Sequence, residues 1–279
     1  QCMEHLGPLS FTASRCFVAV VFLYLTYKFF MMKSASYIEE KFDMKRTLVG
    51  GSICGLVFTI AINLQQVSLI YTTAAKASFL TALYIVFIPV IGLFFGRRPS
   101  VKIIICIFLA MVGTYLLSIN GGLKINRGDL IVILSALVFA IHILLLTKYS
   151  TNTNAVLVSL VQFAVCGVIS LVGALVLEDI SMEAILKSQA TILYVGILSS
   201  GVGFTIQLMA LKDLEPVVAS MICSLESVFG ALFGWLILSQ EMTEREIFGA
   251  IIIFLATIFA QVPIETYLEK RLERKLNRG

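Results

Sequence analysis

Few side chains in this sequence can do chemistry, and most of them sit inside long apolar runs. Glu226 is the one carboxylate in ASMICSLESVFGALFGWLI (219–237). Residues 219, 223, 230 and 234 lie on or near its helical face and are Ala, Cys, Gly and Gly, small enough to let another helix approach. A charged acid at that depth costs about 2.5–3.5 kcal/mol on insertion scales. Glu226 must therefore be neutral or compensated. Two chemistries fit it. It contacts a solute or takes up a proton as the site opens to water, or it is a protonated acid bonded to a neighbouring backbone.

The other ionisable groups at depth carry the same double reading. Arg15 lies about one turn into the run 11–31, and Lys76 near one end of 73–95. Either lines a polar pathway or extends its charged head to the membrane interface. His142 lies deep in 130–148 as a pathway group or a hydrogen-bonded packing group. Asn63, Gln65 and Gln66 form an amide cluster in 48–68, suited to gluing helices or to lining a route. Gln162, Gln207 and Thr205 add weaker polar candidates. The pairs Gly92-x3-Gly96, Gly230-x3-Gly234 and Gly51-x3-Gly55 have the spacing that brings helices close, and they are assigned packing rather than chemistry.

The elements that must hold these residues are membrane helices. The 279 residues are 59% hydrophobic and 14% charged, with mean hydropathy +0.97. Soluble domains carry about 25% charged residues, so this chain has too little polar surface for water. A helix crosses the hydrocarbon core with about 20 apolar residues. Nine apolar segments answer to that, at 11–31, 48–68, 73–95, 102–119, 130–148, 154–176, 190–211, 216–238 and 246–264. They run continuously rather than alternating, which argues against strands. The fold class expected is an all-α polytopic membrane protein.

Charge sets the orientation. Lys28, Lys33, Lys41, Lys45 and Arg46 flank or occupy the 32–47 connection. Arg97, Arg98 and Lys102 mark the next basic turn, and Lys270, Arg271, Arg274, Lys275 and Arg278 the tail. Acidic turns hold Glu178, Asp179 and Glu183, then Glu241, Glu244 and Glu246. Positive residues mark the cytoplasmic side, which places the N-terminus outside and the C-terminus inside. Lys124 and Arg127 fall on the outer side as a mild exception. The net charge of +4 is too small to suggest a nucleic-acid partner.

The chain also repeats itself. Residues 75–92 lie over 217–234, matching Ala77, Ser78, Leu83, Val86, Phe87 and Gly92 to Ala219, Ser220, Leu225, Val228, Phe229 and Gly234. In this register Tyr84 stands where Glu226 stands, and the two are expected to flank one site near the midplane. Residues 11–17 lie over 156–163, which pairs Arg15 with Gln162. The turns after 75–92 and 217–234 have opposite charge, as an inverted-topology repeat requires. The expected division is a first repeat over 1–119, a second over 127–265 and a basic cytoplasmic tail over 266–279. Inversion needs an odd number of helices per unit. The second half offers five and the first four, so the register predicts a ten-helix parent whose first helix is missing here.

At LGPLSFTASRCFVA (6–19), LQQVSLIYTTAAKASFLTALYIVFIPVIGLFFGRRPS (64–100), RGDLIVILSALVFA (127–140) and ASMICSLESVFGALFGWLILSQEMT (219–243) the sequence resembles the drug/metabolite transporter superfamily, EamA type. Ser227 stands where the family has a proline after its leucine-glutamate step. Ser239, Gln240 and Glu241 occupy the following turn. The resemblance implies two bundles of five helices around a central pathway that moves small metabolites.

The function expected is therefore a secondary transporter of small organic metabolites or amino acids, acting as an exporter in a bacterial inner membrane. Its partners are a small-molecule substrate and the lipid bilayer, with proton coupling as an option. Alternatives are a sugar-phosphate or nucleotide-sugar antiporter of the same superfamily, a passive channel, or a non-transporting membrane protein. No Walker motif is present to use ATP. The two histidines stand far apart, with no HExxH motif and no cysteine at ligand spacing. The sequence thus points to no enzyme, metal or cofactor. The six cysteines form no CxxC pair, and those within apolar runs read as small packing residues.

Overall fold

The computed structural model describes residues 6–33, 42–96, 99–119, 126–238 and 243–261. Among them the chain is helical, with no strand. The helices are α1 (Pro8–Lys33), α2 (Met44–Ser68), α3 (Ala74–Thr81), α4 (Tyr84–Phe94), α5 (Val101–Ser118) and α6 (Arg127–Ser150). After them come α7 (Ala155–Leu177), α8 (Met182–Lys187), α9 (Gln189–Tyr194), a π-helix (Val195–Gly203), α10 (Phe204–Ala210), α11 (Pro216–Leu238) and α12 (Glu244–Gln261). Seven stretches among the described residues are long and apolar enough to cross a membrane: Pro8–Phe29, Met44–Ser68, Ala74–Phe94, Val101–Ser118, Arg127–Ser150, Ala155–Leu177 and Gln189–Ala210.

Side chains cap the helices where the apolar runs begin. Asp43 accepts from the Arg46 amide, Thr73 from the Lys76 amide and Asn154 from the Leu157 amide. Asn126 and Asp129 form a reciprocal capping box at the start of α6. The N-terminus of α1 is capped from a distance. The Glu178 carboxylate accepts from the amides of Leu9 and Ser10 at 2.8 and 2.9 Å. These partners also fix direction. The start of α1 meets the end of α7, so the two helices are antiparallel. At the opposite end, Arg46 Nη2 donates to Lys148 O at 2.7 Å, and the Asp43 amide donates to Asn152 O at 2.9 Å. That brings the start of α2 to the end of α6.

Two segments that read as single continuous helices are interrupted. Residues 73–95 break at Ala82–Leu83, where the Leu83 amide bonds to Leu80 O and the Ile85 amide to Ala82 O in tight three-residue turns. Pro89 removes a further amide inside α4. Residues 190–211 widen into the nine-residue π-helix. The 177–189 stretch, expected as a loop, contains the one-and-a-half turns of α8, capped by Ser181.

The chain forms two compact units, and neither is a continuous half of the sequence. The first takes residues 1–98 and 118–220, the second 99–117 and 221–279. In the first, α1, α2, α6 and α7 supply the core. Phe58 sits at its centre, with ring centroids 5.0 Å from Phe204, 5.5 Å from Phe163 and 6.2 Å from Phe139. Gly51 and Gly55 let α2 lie directly on α7: a Cβ at Gly51 would fall 2.7 Å from Val161 Cβ, and one at Gly55 2.9 Å from Val165 Cβ. In the second unit α5 and α12 approach through Gly113 and Gly249. A Cβ on either would fall 2.7 Å from the other's carbonyl oxygen. Outward faces stay apolar, as Val172, Leu175 and Val176 on α7 and Phe248, Ile251 and Leu255 on α12 show. Hydrocarbon rather than water suits such faces.

Candidate functional site

Several polar candidates of the first unit fall into three places. The first is an open groove of about 370 Å³ between α2 and α6, lined by Thr59, Ile60, Asn63, Leu64, Val67 and Ile131. Asn63 holds one wall. Its Nδ2 donates to Ser170 Oγ at 2.8 Å, while its buried Oδ1 has no hydrogen-bond partner. Gln65 Nε2 donates to Thr81 Oγ1 at 3.0 Å, tying α2 to the end of α3 just before the helix break. Gln66 is buried. The amide cluster thus divides, with Asn63 on the groove and Gln65 in helix-to-helix bonding.

The second place is the sealed centre. His142 Nε2 and Gln162 Oε1 lie 2.9 Å apart. An amide oxygen only accepts, so Nε2 carries the hydrogen. The Phe58 ring lies 5.2 Å from the imidazole. Here His142 and Gln162 couple α6 to α7.

The third is the contact between α1 and the π-helix. Arg15 is 5% exposed, and its Nε and Nη2 are buried without hydrogen-bond partners. It is buried within the first unit rather than extended over its surface. The π-helix wall is bare. A Cβ at Gly196 would fall 2.9 Å from Arg15 O and 2.7 Å from Val18 Cβ, and one at Gly201 2.6 Å from Phe22 Cδ1. The hydroxyls of Ser200 and Thr205 are also buried without partners.

Lys76 is tied down within the first unit. It forms an ion pair with Asp129, whose side chain is fully buried. Asp129 also accepts from Thr72 Oγ1 at 2.7 Å and from the Asn126 amide at 2.7 Å. Sequence reasoning missed Asp129 and Ser170 as partners. The N-R-G-D start of α6 carried the signal for Asp129, as the third residue after a capping Asn.

Tyr84 is the first residue of α4, and its hydroxyl donates to Ser220 O at 3.4 Å within the first unit. Gln207 is half-buried on α10. Glu226 belongs to the second unit, in the middle of α11, and is exposed. Gly92 is buried. Gly96, expected to pack, has φ 74°, and a Cβ added there would meet nothing within 4 Å. It ends α4 in a left-handed conformation that glycine adopts without strain. The surroundings of Gly230 and Gly234, and the 266–279 tail, lie outside the described residues.

Discontinuous helices, such as the one broken at Ala82–Leu83, and π-helical turns recur at functional sites of transporters and other proteins. Comparison with known proteins gives the family. An uncharacterized transporter of Archaeoglobus fulgidus is 26% identical over 263 residues, which cover 94% of this chain and 79% of the relative. The uncharacterized transporter YoaV of Bacillus subtilis is 23% identical over 257 residues, covering 90% and 86%. A solved crystal structure superposes with a TM-score of 0.74 at 15% identity, covering 98% of this chain and 91% of the other, and shares the fold. The profile of the EamA-like transporter family matches residues 1–119 and 126–261. This chain is a multi-pass membrane protein and belongs to the EamA-like transporter family.

Proposed function

We propose that the protein is a secondary transporter that exports small organic metabolites or amino acids by alternating access. The observation that carries this reading is Glu226, an exposed acid in the middle of an apolar helix. A charged carboxylate facing hydrocarbon is costly, so an exposed acid at that depth belongs on a water-accessible route. There its charge can change as the route opens to one side and then the other, which couples solute movement to protons. Tyr84, its counterpart in the repeat, follows the α3–α4 break in the first unit.

The repeats proposed are 1–119 and 127–265, inverted with respect to each other and crossing the membrane nine times in all. The antiparallel packing of α1 on α7 supports inversion, because these helices correspond in the repeat register. Arg46 and Lys148 at one end of the first unit, with Glu178 at the other, support a cytoplasmic side that holds the basic turns and the C-terminus. We place the protein in the cell inner membrane. The test is counterflow in proteoliposomes. Accumulation of labelled solute driven by unlabelled solute inside is expected. Conductance that follows voltage without counterflow would replace the carrier with a channel, and no flux of any solute would refute transport.

A further inference from the structure

We propose that Arg15 is an anion-binding group and that the solute it holds carries a carboxylate. The proposal deepens the transport reading, from which it takes only that the carboxylate belongs to the transported solute.

Arg15 is 5% exposed, yet Nε and Nη2 have no hydrogen-bond partner. These two nitrogens share one edge of the guanidinium. Their parallel N–H groups match the two oxygens of a carboxylate in a bidentate pair. Buried cations are ordinarily paired, because an unpaired one forfeits its hydration without return. The described acids do not pair with Arg15. Asp129 is held by Lys76, Thr72 and Asn126, Glu178 by Leu9 and Ser10, and Glu183 by Lys187. Among the described residues no carboxylate pairs with Arg15, and a ligand from outside the chain would supply the counter-charge.

The wall beside Arg15 suits an intermittent ligand. The π-helix presents Gly196 and Gly201 to α1, where an added Cβ would meet Arg15 O, Val18 and Phe22, so its backbone lies directly against α1. Ser200, on that π-helix, holds a buried hydroxyl without a partner. Wide π turns are strained relative to α turns and concentrate at functional positions. Tightening this one would separate its backbone from α1 at the turn that carries Arg15. Charge favours carboxylate over phosphate. One guanidinium balances a single negative charge, and Lys76, another cation of this unit, is already bound to Asp129.

The test uses the full chain in detergent micelles, with sodium benzoate, benzamide and inorganic phosphate as probes and the thermal unfolding midpoint as readout. Benzoate should raise the midpoint in a saturable manner and benzamide should not. Arg15→Gln should weaken the benzoate response about ten- to a hundredfold, the size of a charge-assisted hydrogen-bond pair. Arg15→Lys, which keeps charge but loses the fork, should fall between. Equal responses to benzoate and benzamide, or an unaltered response in Arg15→Gln, would overturn the site. A response to phosphate at lower concentration than to benzoate would overturn the carboxylate assignment. Should Arg15→Gln fail to fold, the comparison of benzoate with benzamide on the parent decides alone. None of these readouts needs flux. Benzoate binding without counterflow would remove the transport reading and keep the anion site, and counterflow without benzoate binding would do the reverse.

Discussion

His142 Nε2 and Gln162 Oε1 meet at 2.9 Å with the two residues 1% and 2% exposed. Each is a lone polar group in an apolar helix, and together they satisfy one another. Gln162→Leu keeps the volume and strands the imidazole N–H. An unsatisfied buried donor costs about 1–3 kcal/mol. The unfolding midpoint in detergent should fall accordingly, and the double variant with His142→Leu should recover part of the loss. No fall in Gln162→Leu would mean that water or another group serves His142.

The approach of Gly113 to Gly249 makes a second prediction. A side chain at Gly249 would meet Gly113 O at 2.7 Å and the Leu117 amide at 2.8 Å, both backbone atoms that cannot turn aside. Gly249→Val should destabilise the protein by about 1–3 kcal/mol or more. At Gly173 an added Cβ meets only the end of Leu9, at 3.3 Å. Gly173→Ala should be nearly neutral. Similar midpoints for the two variants would refute close packing of α5 on α12.

Legibility in the sequence followed the physics of each feature. Helices were readable because each is a long apolar run, and caps such as Asn126 and Asn154 stand at their starts. Hydropathy is blind to hydrogen-bond register, so neither the Ala82–Leu83 break nor the π-helix was visible. Gly51-x3-Gly55 packs as its spacing implies. Gly96 shares that spacing but ends a helix, and Gly113 and Gly249 pack with no local pattern at all. Arg15 was conspicuous as a charge. That its fork is buried and unpaired depends on tertiary packing around α1, which no local sequence pattern encodes.

Lys76 and Asp129 should contribute unequally. Asp129 serves Lys76, Thr72 and the Asn126 amide at once, whereas Lys76→Met leaves Asp129 two of these partners. Asp129→Ala removes the ion pair together with part of the capping box, and losing a cap alone costs about 1 kcal/mol. Asp129→Ala should therefore lower the unfolding midpoint more than Lys76→Met does. Equal losses, or a larger one from Lys76→Met, would overturn this ordering.

Glu226→Gln separates a working acid from a strut. Glutamine keeps shape and hydrogen-bonding capacity but cannot ionise. If Glu226 takes up protons or meets a cationic group of the solute, transport should fall at least tenfold while expression and unfolding midpoint stay near the parent's. The residual flux should also lose the pH dependence that the parent shows, because the group whose charge responds to pH has been removed. Uptake into proteoliposomes across external pH 5.5 to 8 measures both. Unchanged rates with an unchanged pH profile would assign Glu226 to helix contact alone. They would move the search for the coupling group to the other half of the repeat, where Tyr84 follows the break between α3 and α4.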